Sequence, residues 1–218
     1  MRTKTLLITA AAALVAGIVS SQAQVYSQNI VGYINVPLNT GYNLVANQLD
    51  LDGTGTNNSI YTAIGTNLPA HTVVEAWNPQ LAVFSPSTLS ASGKWSSNNQ
   101  LFTNAVNPGG GFFIQVSAPT NITFVGNVIT GTNTYPIIAG YQLVAPSGPV
   151  AGTLDTTNGY QPSKHDVIEV WNNSLSVFAP HTYSGTAWSS GDPQLTVGQA
   201  AFLDAANNTN WTQILNVQ

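Results

Sequence analysis

The residues best placed to do chemistry in this chain form a motif, His-x-x-x-Glu-x-Trp, that occurs twice. One copy contains Glu75 and Trp77, and the other contains Glu169 and Trp171. An indole ring can stack on a sugar face while a neighbouring carboxylate accepts hydroxyl hydrogen bonds, so each pair is a candidate carbohydrate contact. Two such glutamates could also be the paired carboxylates of a glycosidase. The structural alternative is a packed tryptophan beside a turn, and repetition favours it, because catalytic carboxylates usually need unlike environments.

A second pair of tryptophans, Trp95 and Trp188, follows turns rich in Gly, Ser and Thr. An indole carried on a loop is a candidate for ligand stacking, whereas an indole at the start of a strand can anchor a core. Both residues are therefore candidate ligand contacts, with core packing as the alternative.

Metal and cofactor sites are weakly indicated. Asp50 and Asp52 stand among Gly, Thr and Asn residues, a composition that resembles a calcium loop. The third acid and the distal bidentate glutamate of such loops are missing, so a plain turn is favoured. The three histidines are not spaced as a metal-binding pair and the chain has no cysteine, which argues against zinc. We predict no cofactor.

These motifs belong to an internal duplication. Three blocks recur in the same order: 41–46 at 140–145, 71–78 at 165–172, and 81–86 at 175–180. A chain of 218 residues suits one compact domain or two small ones. We predict two related units, 24–130 and 131–218, that pack against each other.

Each unit is predicted to be all-β, with a sandwich- or barrel-like architecture. Short β-branched and aromatic runs are bounded by Gly, Pro, Asn and Ser, the pattern of many short strands. The predicted strands are 29–36, 42–46, 72–77, 81–84, 112–116, 122–128, 141–145, 167–171, 175–178, 200–204 and 211–217, with a helical turn near 58–64. Since side chains alternate along a strand, His71, Glu75 and Trp77 are expected on one face, as are the equivalent residues of the second copy.

The first residues predict export. Arg2 and Lys4 precede an apolar run at 6–19, and Ser21-Gln22-Ala23 provides small residues for a signal peptidase. We predict a signal peptide at 1–23. The run is shorter than the roughly 20 residues of a membrane-spanning helix, so the mature protein is not expected to be membrane-embedded. Secretion, a cell-surface position and the periplasm are the compatible locations.

Charge restricts the partners. Charged residues make up 6% of the chain, against roughly 25% in ordinary soluble domains. After cleavage only Lys94 and Lys164 would oppose eight acidic residues, so the protein could not neutralise a run of phosphates. Nucleic acid is therefore not an expected partner, which leaves polysaccharide or further copies of the chain.

Several motifs resemble a group of secreted proteins from Verrucomicrobiota-type bacteria. They are Val-Tyr-Ser-Gln-Asn-Ile-Val-Gly-Tyr-Ile-Asn at 25–35, Gly-Tyr-Asn-Leu-Val-Ala-Asn at 41–47 and Pro-Gly-Gly-Gly-Phe-Phe at 108–113. The last motif is lost from the second copy. The resemblance implies export and a β-module fold, and it assigns no activity and no functional residues.

The composition and the missing catalytic motifs favour a non-catalytic secreted or cell-surface protein with a structural or adhesive role. In one version the strand-like segment 25–36 completes the sheet of a neighbouring copy. One alternative is a carbohydrate-binding protein that uses Trp95, Trp188 and the two Glu-Trp pairs, Glu75 with Trp77 and Glu169 with Trp171. A less favoured alternative is a secreted glycoside hydrolase that uses Glu75 and Glu169.

Overall fold

A computed structural model describes residues 30–55, 57–96 and 105–216. The predicted signal peptide lies outside these residues. The described chain is built of antiparallel strands, which confirms the all-β prediction. The strands of the first repeat are β1 (Val31–Leu38), β2 (Gly41–Val45), β3 (Val73–Asn78), β4 (Val83–Thr88), β5 (Phe112–Val116) and β6 (Thr120–Asn127). Those of the second repeat are β7 (Gly131–Ile137), β8 (Gly140–Val144), β9 (Gly152–Thr153), β10 (Val167–Asn172), β11 (Val177–Thr182), β12 (Gln194–Leu195), β13 (Ala201–Ala205) and β14 (Thr209–Leu215).

The first repeat packs a two-stranded ribbon, β1-β6, with a four-stranded sheet of order β2-β5-β3-β4. Alternation along β1 buries Ile34, Val36 and Leu38, and the residues between them are exposed or half-buried. Phe112 and Phe124 pack edge to face in the same core. A five-residue π-helical turn, Ile60–Ile64, closes this core, capped by Ser59.

The second repeat has the same plan. β7 pairs with β14 as β1 pairs with β6, and its sheet has the order β8-β13-β10-β11, with the short pair β9-β12 added. Trp211 lies fully buried in its core, against the rings of Tyr135 and Tyr160, and its indole N–H donates to the carbonyl of Asn158 at 2.7 Å. The duplication in the sequence is therefore a duplication of strand order.

The starts of β4 and β11 differ from the sequence prediction, and the reason is the same in both repeats. The segments predicted at 81–84 and 175–178 begin two residues later and continue to Thr88 and Thr182. Ala82 (φ 52°) and Ser176 (φ 53°) have left-handed backbone conformations, so they belong to the hairpin turns. The sequence prediction also missed β7, whose residues are mostly polar and partly exposed.

The structure describes part of the segment 25–36, which one version of self-assembly would add to a neighbouring copy. Residues 31–36 belong to β1, which is paired along its length with β6 of the same chain. This part of the segment already has a partner in its own repeat, and residues 25–29 lie outside the described chain. In the second repeat β7 takes the place of β1.

The two repeats share a third hydrophobic cluster, which we call the junction. It contains Leu44, Ala46 and Phe113 from the first repeat, and Leu143, Ala145, Ala200 and Phe202 from the second. Each four-stranded sheet thus buries one face in its own repeat and part of the other face in the junction.

Reciprocal backbone hydrogen bonds close the junction. The Ala46 N–H donates to the Gly198 carbonyl at 2.9 Å, and the Ala145 N–H donates to the Gly109 carbonyl at 3.0 Å. The loop before β13 thereby extends the edge of β2, while the loop before β5 extends the edge of β8. Such reciprocity is the mark of a twofold interface, here within one chain.

No helix within the described ranges is both long enough and apolar enough to span a membrane.

Candidate functional site: two clefts at the junction

Strand alternation directs Trp77 and Trp171 toward the junction. On β3, Val74 and Ala76 point into the first core, so Glu75 and Trp77 lie on the opposite face. The Trp77 indole N–H donates to the Tyr141 carbonyl of the second repeat at 2.7 Å. Trp171 repeats the arrangement from β10.

The Trp171 indole N–H donates to the Tyr42 carbonyl of the first repeat at 3.2 Å. Each tryptophan is partly buried against the junction. The two indoles therefore join the repeats, and the parts of their rings that stay exposed lie at the surface where the repeats meet.

Two rows of aromatic rings cross the junction. One row runs Phe84–Trp77–Phe202–Tyr141, with successive centroids 4.9, 5.2 and 5.5 Å apart. The other runs Phe178–Trp171–Phe113–Tyr42, at 4.8, 5.5 and 6.1 Å. Most of these contacts are edge to face, the geometry in which aromatic pairs attract each other. The rows fix the orientation of both indoles.

A cleft of about 410 Å³, the Trp171 cleft, lies beside Trp171. The second repeat provides Trp171, Asn172, Asn173 and residues 196–199, and the first repeat provides Val36, Pro37, Leu44 and Val45. Gly198 has φ 79°, and a Cβ added there would lie 2.4 Å from Val36 Cγ2, so the close approach of this loop requires glycine.

The equivalent cleft, the Trp77 cleft, has a volume of about 470 Å³. The first repeat provides Trp77, Pro79, Gln80, Ala105 and residues 107–111, and the second provides residues 135–138 and 142–144. Tyr135 holds one wall by donating its hydroxyl to the Ala145 carbonyl at 2.7 Å. Burial raises the pKa of Tyr135 well above its ordinary value, so this phenol stays neutral.

The linings of the two clefts have one chemical character. Among the described residues, neither lining contains Asp, Glu, Lys, Arg or His. Each combines an indole and aliphatic side chains with side-chain amides: Asn172, Asn173 and Gln199 in one cleft, Gln80, Asn107 and Gln142 in the other. Such a surface suits an uncharged ligand that has both apolar faces and hydroxyl or amide groups.

The glutamates of the repeated motif lie outside both linings. Glu75 lies beside the Tyr42 hydroxyl, and partial burial raises the pKa of its carboxyl. Burial also raises the pKa of Glu169, and the charge of Asp204 raises it further. The structure therefore separates each glutamate from the cleft that its neighbouring tryptophan lines.

The histidines also leave the predicted strand face. His71 and His165 have left-handed backbone conformations, φ 67° and 79°, in the turns before β3 and β10. Each is exposed, and its backbone N–H donates to a carbonyl, that of Leu89 or of Tyr183. The repetition of these histidines marks a turn that each repeat needs.

Trp95 and Trp188 are core residues, which corrects their candidacy as ligand contacts. They are 5% and 8% exposed, and their rings pack in the cores of the first and second repeats. The Trp95 indole donates to the Gly65 carbonyl at 2.8 Å, and the Trp188 indole donates to Asp155 at 3.2 Å. Neither ring face is open to a ligand.

Asp50 and Asp52, the calcium candidates, lie in a hydrogen-bonded turn. Asp50 is 4% exposed and accepts hydrogen bonds from Asn58 and from the Gly55 backbone, at 3.0 and 2.8 Å. Asp52 accepts from Asn57 and from both the hydroxyl and the backbone N–H of Thr54. These donors hold both carboxylates within the turn. Among the described residues, no cluster of three or more His, Asp or Glu could hold a metal ion.

Sequence reasoning missed the loops that complete the clefts. The sequence predicts a structural turn at 107–111 and a weakened counterpart at 197–202, and it assigns neither to a binding site. Gly109 (φ 93°) and Gly198 let these loops reach the other repeat. The Asn-Pro-Gly-Gly-Gly run is the one signal that could have directed attention there.

Comparisons of the chain with protein-family models, with curated proteins and with solved structures found no match.

Proposed function

We propose that this is a non-catalytic, exported adhesive protein that binds neutral polysaccharide through the Trp77 and Trp171 clefts. One observation carries the proposal: the duplication builds two clefts that each combine an exposed part of an indole with several amides and no charged side chain. Export rests on the predicted signal peptide.

The ligand class follows from the linings. A pyranose ring has a C–H face that stacks on an indole, and its hydroxyls pair with side-chain amides. A charged ligand would find no counter-ion in either lining. The volumes fall within the roughly 300–1,000 Å³ of small-ligand sites, enough for a short segment of a longer glycan.

The non-catalytic assignment has separate support. Hydrolysis of a glycosidic bond uses two carboxyl groups that flank it. The cleft linings contain none, and Glu75 and Glu169 lie beside tyrosines elsewhere. A ligand held in either cleft would meet no acid–base pair.

Depletion assays with residues 24–218 test this function. The protein is mixed with cellulose, chitin, insoluble xylan and starch granules, with cross-linked pectate as an acidic comparison. We expect depletion on at least one neutral polymer, reversed by its own hexasaccharide. Failure on all four neutral polymers, or equal depletion on pectate, would contradict the proposal.

Matched variants locate the binding. Pro79→Arg and Asn173→Arg place a long side chain at equivalent positions of the two clefts, and the double variant should lose depletion. Ser174→Arg adds the same charge at an exposed neighbour outside the lining and should bind as the wild type does. Binding that survives the double variant would place the site elsewhere.

Self-assembly is a second candidate function, favoured by the sheet edges. β4 and β11 are terminal strands of their sheets and contain no Asp, Glu, Lys or Arg. The hairpin turns before them expose Leu81 and Leu175, each 69% accessible. Uncharged edges with exposed apolar residues invite association. Pro86 and Pro180 oppose it, because proline on an edge strand offers no N–H to an added strand.

Analytical ultracentrifugation tests this candidate. If the hairpins mediate assembly, the wild type should sediment as oligomers, and Leu81→Lys/Leu175→Lys should sediment as a monomer. A monomeric wild type at concentrations up to about 100 μM, where functional interfaces associate, would exclude it.

A further inference from the structure

We propose that one molecule holds two separate glycan segments at once, one in each cleft, and so cross-links polysaccharide chains. This inference rests on the proposed glycan binding and adds a valence of two to it.

The two linings support independent occupancy. They share no residue, and each contains its own tryptophan and its own amide groups. A ligand in one cleft therefore removes no contact from the other. Each cleft takes its tryptophan from one repeat and its opposite wall from the other, just as the junction hydrogen bonds run from each repeat to the other. The two clefts are therefore equivalent sites.

The junction keeps the clefts apart. The loops that line them meet at Gly111 and Ala200, where a Cβ added to Gly111 would lie 2.5 Å from the Ala200 Cβ. Leu44 lines one cleft and Leu143 the other, and both are buried in the junction cluster between them. Packed side chains thus separate the two sites.

The junction also fixes how the clefts are oriented. Each cleft takes one wall from each repeat, so neither can form unless the repeats are joined as they are here. Because packed junction side chains lie between them, the two sites are expected to take separate segments. They can be filled by two chains, or by distant parts of one chain, and such multivalency raises avidity by roughly 10²–10⁴.

Isothermal titration of residues 24–218 measures the valence. The probes are cellohexaose, chitohexaose, xylohexaose and maltohexaose. We expect at least one to bind with a stoichiometry of two per chain. Pro79→Arg and Asn173→Arg should each reduce the stoichiometry to one, and the double variant should abolish binding, while Ser174→Arg should keep it at two.

The outcomes separate the two proposals. Binding with a stoichiometry of one in the wild type would overturn the cross-linking inference and leave glycan binding intact. Absence of binding to all four probes, with no depletion on their polymers, would overturn both.

A particle assay tests the consequence. The wild type should clump suspended particles of the polymer that depletes it, and each single-cleft variant should bind the particles without clumping them. Clumping by a single-cleft variant that remains monomeric in ultracentrifugation would contradict cross-linking through the clefts.

Discussion

The Trp77 cleft and the Trp171 cleft share a frame and differ in their linings. In both, an indole from one repeat donates to a tyrosine carbonyl of the other, and a glycine loop pairs with the opposite sheet edge. Around that frame the Trp77 cleft presents Tyr135 and several prolines, whereas the Trp171 cleft presents Thr196 and several valines. The duplication has thus kept what joins the repeats and changed what a ligand would touch.

The same contrast appears at the edge of the junction. Tyr42 faces Glu75 in the first repeat, and Tyr141 faces both Glu169 and Asp204 in the second. Gln115 occupies the position in β5 that Asp204 occupies in β13, since they pair with Tyr42 and Tyr141 respectively. Each repeat therefore has a tyrosine beside a glutamate, and the second repeat adds the carboxylate of Asp204.

The largest effect should come from the buried tryptophans, where the repeats are alike. Trp95→Ala and Trp188→Ala should each lower the free energy of unfolding by about 3–5 kcal/mol, because both rings fill a core. Denaturant titration measures this. Folded fractions of either variant should bind the hexasaccharides as the wild type does, and a selective loss of binding with unchanged stability would restore these residues as ligand contacts.

The next largest effect should come from the close contact between Gly111 and Ala200, where the two repeats meet. Gly111→Ala should destabilise the protein by about 1–3 kcal/mol, because its Cβ would collide with that of Ala200. Ala200→Gly in the same chain removes the collision and exchanges the two residues between the repeats. Denaturant titration of the single and double variants should therefore show rescue. An equally unstable double variant would contradict the twofold arrangement.

Smaller effects should distinguish the two indole hydrogen bonds. Trp77→Phe and Trp171→Phe keep an aromatic ring and remove the N–H donor, which should cost about 0.5–1.5 kcal/mol each. We expect the larger loss for Trp77, whose bond is 2.7 Å against 3.2 Å for Trp171. Differential scanning calorimetry can rank them, and a larger loss for Trp171 would reverse the ranking of the bonds.

The smallest effect is a pH dependence from the charge difference. Because the folded state raises the pKa of Glu169, its contribution to stability is full below the unfolded value near 4.5 and is lost as pH rises through the folded pKa. Asp204→Asn removes one cause of the shift, so it should lower the pKa of Glu169 and weaken this loss.

Carboxyl-carbon NMR titration of Glu169 measures that change directly. Glu75 is the internal control, since Asp204 is not among the causes of its shift and its pKa should stay where it is. An unchanged titration of Glu169 would show that burial alone raises its pKa.

Much of the fold could be predicted because strand signals are local. The run at 112–116 forms β5 with the predicted bounds, and the helical turn lies within the predicted segment. β7 was missed because its exposed, polar residues give no hydrophobic alternation to detect. The strand starts at β4 and β11 were misplaced because Ala82 and Ser176 have positive φ, which the sequence does not reveal for residue types that rarely adopt it.

The candidate site was only half predictable. The repeated motif pointed to Trp77 and Trp171, which do line clefts, and the preceding turns pointed to Trp95 and Trp188, which do not. Spacing cannot distinguish these pairs, because burial depends on packing against residues distant in the chain. Trp95 and Trp188 lie in the cores of their own repeats, whereas Trp77 and Trp171 lie against the junction. The walls from the opposite repeat, such as Val36 and Gln142, are distant in the chain and carry no motif.

The sequence by itself determined the duplication, the strand-rich character and the nearly uncharged surface, since each follows from residue types and their order. Only the tertiary structure decided that the repeats meet through one face of each sheet and that each repeat lends a loop to the other's edge. Packing within each repeat removes Trp95 and Trp188 from solvent, and packing between the repeats leaves Trp77 and Trp171 at two shared clefts. The physical reason is that the exposure of a side chain depends on which residues distant in the chain pack against it. The order of residues does not specify those contacts.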